Sequence, residues 1–278
     1  VIGYYKLSGA GNDFLALVEP AREPAPEEVR AWCRRGLSVG ADGLFTLERA
    51  DGGARMVYWN ADGGRSTLCL NGGRCAARLA FGLGWGRGDE LRLATDAGHL
   101  AARRTGSEEV ALELPPIVGE VVAATLAVGG EAHRGWRVRV GVPHFIHPWP
   151  GSVAGVPIRD LGPALRHHPD LAPEGANVDF VHHLDRHRFE LRSWERGVEG
   201  ETLACGTGIV AATAAGVAAG GLEPPVTVHT AGGCQLRVGG EVDGRRLRRA
   251  TLAGDARLLA RGELLPGAGA VPSGPEWG

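Results

Sequence analysis

The sequence predicts an α/β (α+β) chain of two pseudo-symmetric duplicated domains. Each is expected to wrap a sheet around a central buried helix. Three observations carry that expectation. The length, 278 residues, is what roughly two average domains need. A Gly-rich turn opening on a cysteine occurs twice, C-L-N-G-G-R-C-A-A-R at Cys69 and C-G-T-G-I-V-A-A-T-A at Cys205, each running into an Ala-rich segment. The segments that flank those turns also recur in one order, as a duplicated unit requires.

Taken along the chain, G-A-G-N-D-F ending at Phe14 is echoed by V-G-V-P-H-F ending at Phe145, and V-G-A-D-G-L around Asp42 by G-A-N-V-D-F around Asn177. The runs M-V-Y-W-N-A-D-G and F-E-L-R-S-W-E-R-G follow, closing on Trp59 and Trp194 and then on polar residues. Their alternation is a strand signature. The cysteine turns come next, with Asn71 and Thr207 at matching positions as capping types. Helices are expected over Ala76 to Leu83 and Ile209 to Ala219. The second has no polar face, so it should be buried and wrapped by its own sheet. Each copy ends on a hairpin, around Thr95 and Gly98 in one and around Thr230 and Gly233 in the other. The double proline Pro115-Pro116 breaks regular structure. It divides a first half, 1–115 with Cys69, from a second, 116–255 with Cys205. The chain end, about 256–278, is free to return to the first half, and the residues after Leu264 read as a frayed tail.

Composition excludes several classes of function. A formal net charge of −2 without a basic block argues against nucleic-acid or anionic-membrane partners. No apolar run reaches a bilayer span and Val1 to Phe14 lacks a secretion-signal pattern, so a cytoplasmic protein is expected. Lys6 is the only lysine. A Schiff-base mechanism, as in pyridoxal phosphate enzymes, would have to use it from within the first strand. The five cysteines form no C-x-x-C pair, which disfavours zinc ribbons and thioredoxin-type chemistry. No metal and no cofactor is therefore expected. Cys33, Cys75 and Cys234 read as small core residues.

Cys69 and Cys205 read differently. A pseudo-two-fold would set them facing one another, each at a helix start. Such a terminus carries partial positive charge and outward N–H groups. That environment lowers a thiol pKa from about 8.5 toward neutrality and cradles a carboxylate. A thiolate on one side of a carbon and a thiol on the other can remove and replace the proton next to a carboxylate, inverting the stereocentre. Hydrolysis would instead pair one cysteine with a histidine base.

These residues resemble the diaminopimelate epimerase family of pyridoxal-independent amino-acid racemases and epimerases. The matching segments are G-A-G-N-D-F (9–14), N-A-D-G (60–63), C-x-N-G-x-R-C (69–75), the N-V at Asn177, E-R-G (195–197), G-E-T-L-A-C-G-T-G (200–208) and G-D-A-R-L-L-A-R-G-E (254–263). The resemblance implies two pseudo-symmetric α/β domains, each a curved mixed sheet around a central buried helix, with the active site in the cleft between them, a homodimer, a small amino-acid substrate and no cofactor. It implies Cys69 and Cys205 as the acid/base thiols, and Leu70, Asn71, Gly206 and Thr207 as the cradle for the reacting carboxylate. Glu195 and His144 would flank the amino group, while Asn12, Asn60, Asn177 and Arg196 would hold the distal end, Arg196 pairing with a distal carboxylate.

Three positions depart from the family pattern. Leu70 stands where a glycine is usual, keeping the N–H but losing glycine's conformational freedom. Val142 replaces an amide that would contact the distal amino group. E-R-G-V-E-G-E-T carries one extra residue, Val198 or Glu199. Two alternatives to a diaminopimelate epimerase therefore stay open: a related racemase for another amino acid, and a non-catalytic binding protein on the same fold. His183, Asp185 and His187 share a strand face at a spacing that could hold a metal, though a solvated strand face is the commoner meaning.

Overall fold

In the computed structural model, which describes residues 1–114 and 120–269, the chain is a mixed α/β protein dominated by sheet. It divides into two compact units, Val1–Leu112 with the chain from Asp255 onward, and Glu113–Gly254. Pro115-Pro116 lies outside the described residues.

The first unit runs β1 (Ile2–Gly9), β2 (Asn12–Val18), α1 (Pro26–Cys33), β3 (Gly43–Ala50), β4 (Gly53–Asn60), β5 (Arg65–Ser66), α2 (Leu70–Gly82), β6 (Glu90–Thr95), β7 (Gly98–Gly106) and β8 (Glu109–Glu113). The second runs β9 (Val122–Val128), β10 (Glu131–Val140), β11 (Val142–Pro148), α3 (Ile158–Arg166), β12 (Asn177–Asp185), β13 (Arg188–Glu195), β14 (Gly200–Thr202), α4 (Gly206–Ala219), β15 (Val226–Thr230), β16 (Gln235–Asp243) and β17 (Arg246–Asp255). A last strand, β18 (Arg257–Leu264), pairs antiparallel with β1, as β9 does with β10.

Strand pairing is the same in both units. β1–β2 and β10–β11 are antiparallel, β2–β3 and β11–β12 parallel, and β3–β4 and β12–β13 antiparallel. Beyond these, β4–β6 and β13–β15 are parallel across the inserted helix, and β6–β7 and β15–β16 antiparallel. The sequence echoes fall at equivalent places: Phe14 pairs with Gly43 and Phe145 with Val178, while Trp59 pairs with Arg65 and Trp194 with Glu201. The G-A-G-N turn closes the β1–β2 hairpin in two residues, Ala10 (φ 51°) and Gly11 (φ 86°), both left-handed, which matches the right-handed twist of the strands.

Each sheet curls around one helix. α2 packs against β1, β2, β3, β4, β6, β7 and β18, and α4 against β10, β11, β12 and β16. Apart from Thr207, every residue of α4 from Gly206 to Val217 is buried, as a helix apolar on all sides must be. α1 and α3 cover outer faces. Val29 and Trp32 of α1 join Leu15, Leu44, Val57 and Leu264 in one core, while Ile158 and Leu165 of α3 join Phe145, Val178 and Phe180 in another. No described helix is long and apolar enough to cross a membrane.

The structure corrects three details. Both central helices start earlier than expected, at Leu70 and Gly206, so the cysteines are themselves the N-caps and Asn71 and Thr207 lie in the first turn. The start of the expected frayed tail is ordered: Pro266–Gly269 form a 3₁₀ turn, Ala268 packs on the α1 core, and its carbonyl accepts a hydrogen bond from Ser38 Oγ at 3.1 Å. The rest of that tail lies outside the described residues. Cys33 and Cys75 are buried core residues, but Cys234 is only half-buried.

Candidate active site

In the first unit a chain of side chains runs back from the cap of α2. Cys69 has extended backbone, and its sulfur accepts a hydrogen bond from Gly72 N–H at 3.5 Å. Tyr58 on β4 is a second partner of that sulfur; burial, and then the nearby Cys69 charge, push its phenol well above the usual range, so it stays protonated. Behind the cap, fully buried Arg74 donates to Asn71 Oδ1 (2.8 Å), Asn71 Nδ2 to Asn12 Oδ1 (2.6 Å), and Asn12 Nδ2 to Asp42 Oδ2 (3.1 Å). The structure thus joins Asn12 and Asn71, both expected in the site, while Asn60 ends β4 as an exposed residue. Leu70 is the first helical residue of α2 and is buried. Helical backbone suits leucine, so the missing glycine strains nothing there.

Lys6 is engaged elsewhere. It pairs with Asp13 at 2.7 Å and donates to Gly40 O. Burial works to raise the Asp13 carboxyl, but hydrogen bonds from Arg35 and Lys6 outweigh it and hold the pKa at about 2. Asp13 and Asp42 are bridged by Arg35, and both the Asn12 side chain and Asp13 N–H donate to Asp42 Oδ2. The lysine is thus half of an ion pair that braces the β1–β2 hairpin carrying Asn12.

The second unit builds a denser cluster around Cys205. His144 on β11 and Asn177 on β12 are direct neighbours in the parallel ladder. Asn177 Nδ2 lies 3.8 Å from Cys205 Sγ, and its Oδ1 accepts Arg196 N–H at 2.8 Å. Glu195, the last residue of β13, accepts from Thr202 Oγ and hydrogen-bonds Cys205. Thr207 Oγ lies 3.5 Å from the same sulfur. The structure therefore brings His144, Asn177, Glu195, Cys205 and Thr207 together on adjacent elements, with Gly206 between the two as the first residue of α4. Arg196 is turned to Glu174, 3.4 Å away, which also pairs with Arg139 at 2.6 Å.

The electrostatics of Cys205 reverse one expectation. Its thiol is pushed well above the ordinary value, first by complete burial and then by the charges of Glu195 and Asp179. The Thr207 hydroxyl and Gly208 N–H pull the other way and lose. A helix start is worth only a fraction of the cost of burying a thiolate beside two carboxyls. Burial also raises Glu195, against the Thr202 hydrogen bond.

Sequence reasoning missed Asp179 and Ser193, both buried, and Tyr58, Thr202 and Arg74. Asp179 accepts from His144 Nδ1 (2.7 Å) and Ser193 Oγ (2.5 Å). A lone acid inside the apolar run N-V-D-F-V was the available signal, because a buried carboxylate needs partners. Donor atoms of His144, Asp179 and Cys205 lie within 4.8 Å of one another, the one described grouping that could hold a metal. The short His144–Asp179 hydrogen bond already occupies one atom of each. The other metal candidate is dispersed: Asp185 pairs with Arg188 at 2.7 Å, and His187 Nδ1 donates to Glu223 O at 2.7 Å.

Comparison with known proteins identifies the family of the chain. The sequence model of the family described as diaminopimelate epimerase matches residues 4–114 and 137–256. A diaminopimelate epimerase of Moorella thermoacetica is 37% identical over 250 residues, covering 83% of this chain and 88% of its own. One from Gemmatimonas aurantiaca is 35% identical over 281 residues, covering 95% and 99%. Among solved structures, a hydroxyproline epimerase from Agrobacterium vitis with bound trans-4-hydroxy-L-proline superposes with a TM-score of 0.70 at 18% identity, over 94% of this chain and 91% of that one. A phenazine biosynthesis protein of the PhzF family from Bacillus anthracis superposes at 0.68 and 15% identity, over 95% and 99%. These two share the fold. With the family match spanning most of the chain and relatives above 30% identity aligned over nearly all of it, this chain belongs to the diaminopimelate epimerase family.

Proposed function

We propose that the chain is an isomerase that inverts the α-carbon of an amino acid with two thiols and no cofactor, its substrate being L,L-diaminopimelate and its product the meso form. One observation carries the reading. Two units of identical strand pairing each place a cysteine at the N-cap of their central buried helix, and the chain belongs to the diaminopimelate epimerase family.

In this reading, as the family resemblance implies, the two thiols act on one carbon. Cys69, with hydrogen bonds donated to its sulfur by Gly72 N–H and Tyr58, takes the α-proton as thiolate. Its S–H bond forms as the C–H bond breaks, and the electron pair left on carbon delocalises into the carboxylate. N–H groups at the starts of α2 and α4 stabilise that charge. Cys205, which rests as a thiol, delivers its proton to the other face and becomes the thiolate. The reverse reaction exchanges the roles. His144 and Glu195 take the ammonium group. Arg196 leaves the exposed Glu174 for the distal carboxylate, an exchange of one carboxylate for another that costs little in water. A homodimer in the cytoplasm belongs to the same reading, supported by family resemblance.

Incubation with L,L-diaminopimelate in heavy water tests the proposal. Meso product carrying deuterium at one α-carbon is expected, and absence of both product and label would overturn it. A second reading, a racemase for another amino acid, draws on Val142. That residue opens β11 on the same strand face as His144, two positions on, and offers no polar group. Deuterium uptake by an L-amino acid of apolar distal end, faster than by diaminopimelate, would favour it.

A further inference from the structure

Asp179 takes no part in the steps above, yet it is among the most enclosed charged groups described: it is fully buried in β12, and both of its oxygens are spoken for. Oδ1 accepts from Ser193 Oγ at 2.5 Å, and Oδ2 lies 2.7 Å from His144 Nδ1. The helix start gives way to it: a Cβ on Gly208 would lie 2.2 Å from Asp179 Oδ1. The carboxylate therefore occupies the space a side chain would take in the first turn of α4, where the helix dipole favours negative charge.

A carboxylate accepts hydrogen bonds, and Ser193 Oγ already donates to one oxygen of Asp179 while His144 Nδ1 faces the other at 2.7 Å. The opposite ring atom, Nε2, is buried and has no hydrogen-bond partner among the described residues. A buried ring nitrogen without a partner, one element away from Cys205, is open to a hydrogen bond from a ligand. We propose that Asp179 is a positioning residue that keeps the His144 proton on Nδ1 and leaves Nε2 a bare acceptor for the ammonium group of the substrate. The assignment rests on the reading of the chain as an amino-acid epimerase and adds the group that sets its histidine. An ammonium has three N–H donors, and Nε2 takes one only while it carries no proton of its own.

The test reads the tautomer directly, by nitrogen NMR of the intact protein carrying isotopically labelled histidine, with the His144 resonances assigned from their loss in His144→Gln. Neutral His144 protonated on Nδ1 is expected. In Asp179→Asn the amide N–H can face Nδ1 and drive the proton to Nε2, and kcat should fall by roughly 10²-fold or more with a far smaller change in KM. Ser193→Ala keeps the carboxylate, so the tautomer should stay and kcat should drop by less than about tenfold. A wild-type His144 protonated on Nε2 or on both atoms overturns the assignment, as does an Asp179→Asn protein with the tautomer unmoved. Should Asp179→Asn not fold, the wild-type and Ser193→Ala spectra decide. The spectra need no turnover, so a chain inert toward every amino acid would sink the epimerase reading while the tautomer result stood on its own.

Discussion

Arg166, the last residue of α3, reaches Glu199 across the E-R-G turn, with Nη2 3.0 Å from Oε1. Glu199 adopts left-handed backbone, φ 52°, and its Oε1 also accepts Gly197 N–H at 3.1 Å. The loop that carries the extra residue, Val198 or Glu199, is thus held in a turn clamped by Arg166. The same guanidinium donates to Glu174 O at 3.3 Å, and a Cβ at Gly175 would lie 2.0 Å from its Nη1. Arg166 therefore ties the segment leading to Asn177 to the segment leading on from Arg196. The Arg166 side chain is 10% exposed and that of Glu199 44%. Removing the acid strands a buried cation, whereas removing the cation leaves an acid that water can solvate. Glu199→Ala should therefore destabilise more than Arg166→Met, each by on the order of 1–2 kcal/mol, measured as urea midpoints at constant slope. Both should raise KM for a substrate with a distal carboxylate more than they lower kcat.

The resting state of Cys205 gives a second prediction. Its raised thiol pKa and burial keep it protonated, so native protein near neutral pH should resist iodoacetamide at this residue, as peptide mapping of alkylated protein would show. The Glu195 charge is one of the causes that hold the thiol up. Glu195→Gln should move the thiolate absorbance of Cys205 to lower pH, with Cys205→Ser as the blank. A shift upward, or none, would contradict the role given to that carboxyl.

Much of the architecture was legible because a duplication writes its evidence twice. The echo of Phe14 in Phe145, and of the turn at Cys69 in that at Cys205, exposed equivalent ladder positions and equivalent helix caps. The apolar periphery of α4 foretold its burial. What stayed hidden depends on contacts between segments far apart in the chain. Asp179 reads as one acid in a strand until Ser193 and His144 are seen on its two oxygens, and Tyr58 as a core aromatic until Cys69 lies against it. The pKa of Cys205 was misjudged for a related reason: a helix start is visible locally, but burial and two carboxyls on other strands are not.

Gly208 supplies a third prediction. Alanine in a helix interior ordinarily gains about 0.5–1 kcal/mol over glycine. At Gly208 the added Cβ would meet Asp179 Oδ1 at 2.2 Å inside a buried cluster, and overpacking costs about 1–3 kcal/mol. Gly208→Ala should therefore melt lower than wild type and lose activity together with the His144 tautomer. At exposed Gly82 of α2, where a Cβ would find only the end of the Arg78 side chain at 3.4 Å, the same substitution should melt slightly higher. Equal behaviour of the two would mean that the contact with Asp179 relaxes without cost.

The buried pair His133 and His147 sets a limit on acid stability. His147 Nδ1 donates to Arg134 O at 3.1 Å, so its Nε2, 3.2 Å from His133 Nδ1, has to accept. A proton added to Nε2 would point an N–H at another N–H inside the aromatic cluster of Phe145, Trp149 and Phe180. The His147 pKa is accordingly lowered, first by burial and then by the His133 charge, against the pull of Arg134 O. His183, half-buried, is lowered by burial and by His182. In the unfolded chain both titrate near the ordinary value of about 6.5. Below that pH the unfolded state takes up protons that the folded state refuses, so stability falls as pH drops through about 6.5 toward the lower folded value. The melting temperature should be nearly level between about pH 7 and 8 and decline steadily toward about pH 5. His147→Gln, which can still donate to Arg134 O and accept from His133, should flatten that decline and leave the smaller share owed to His183. A decline as steep in His147→Gln as in wild type would place the acid-sensitive group elsewhere.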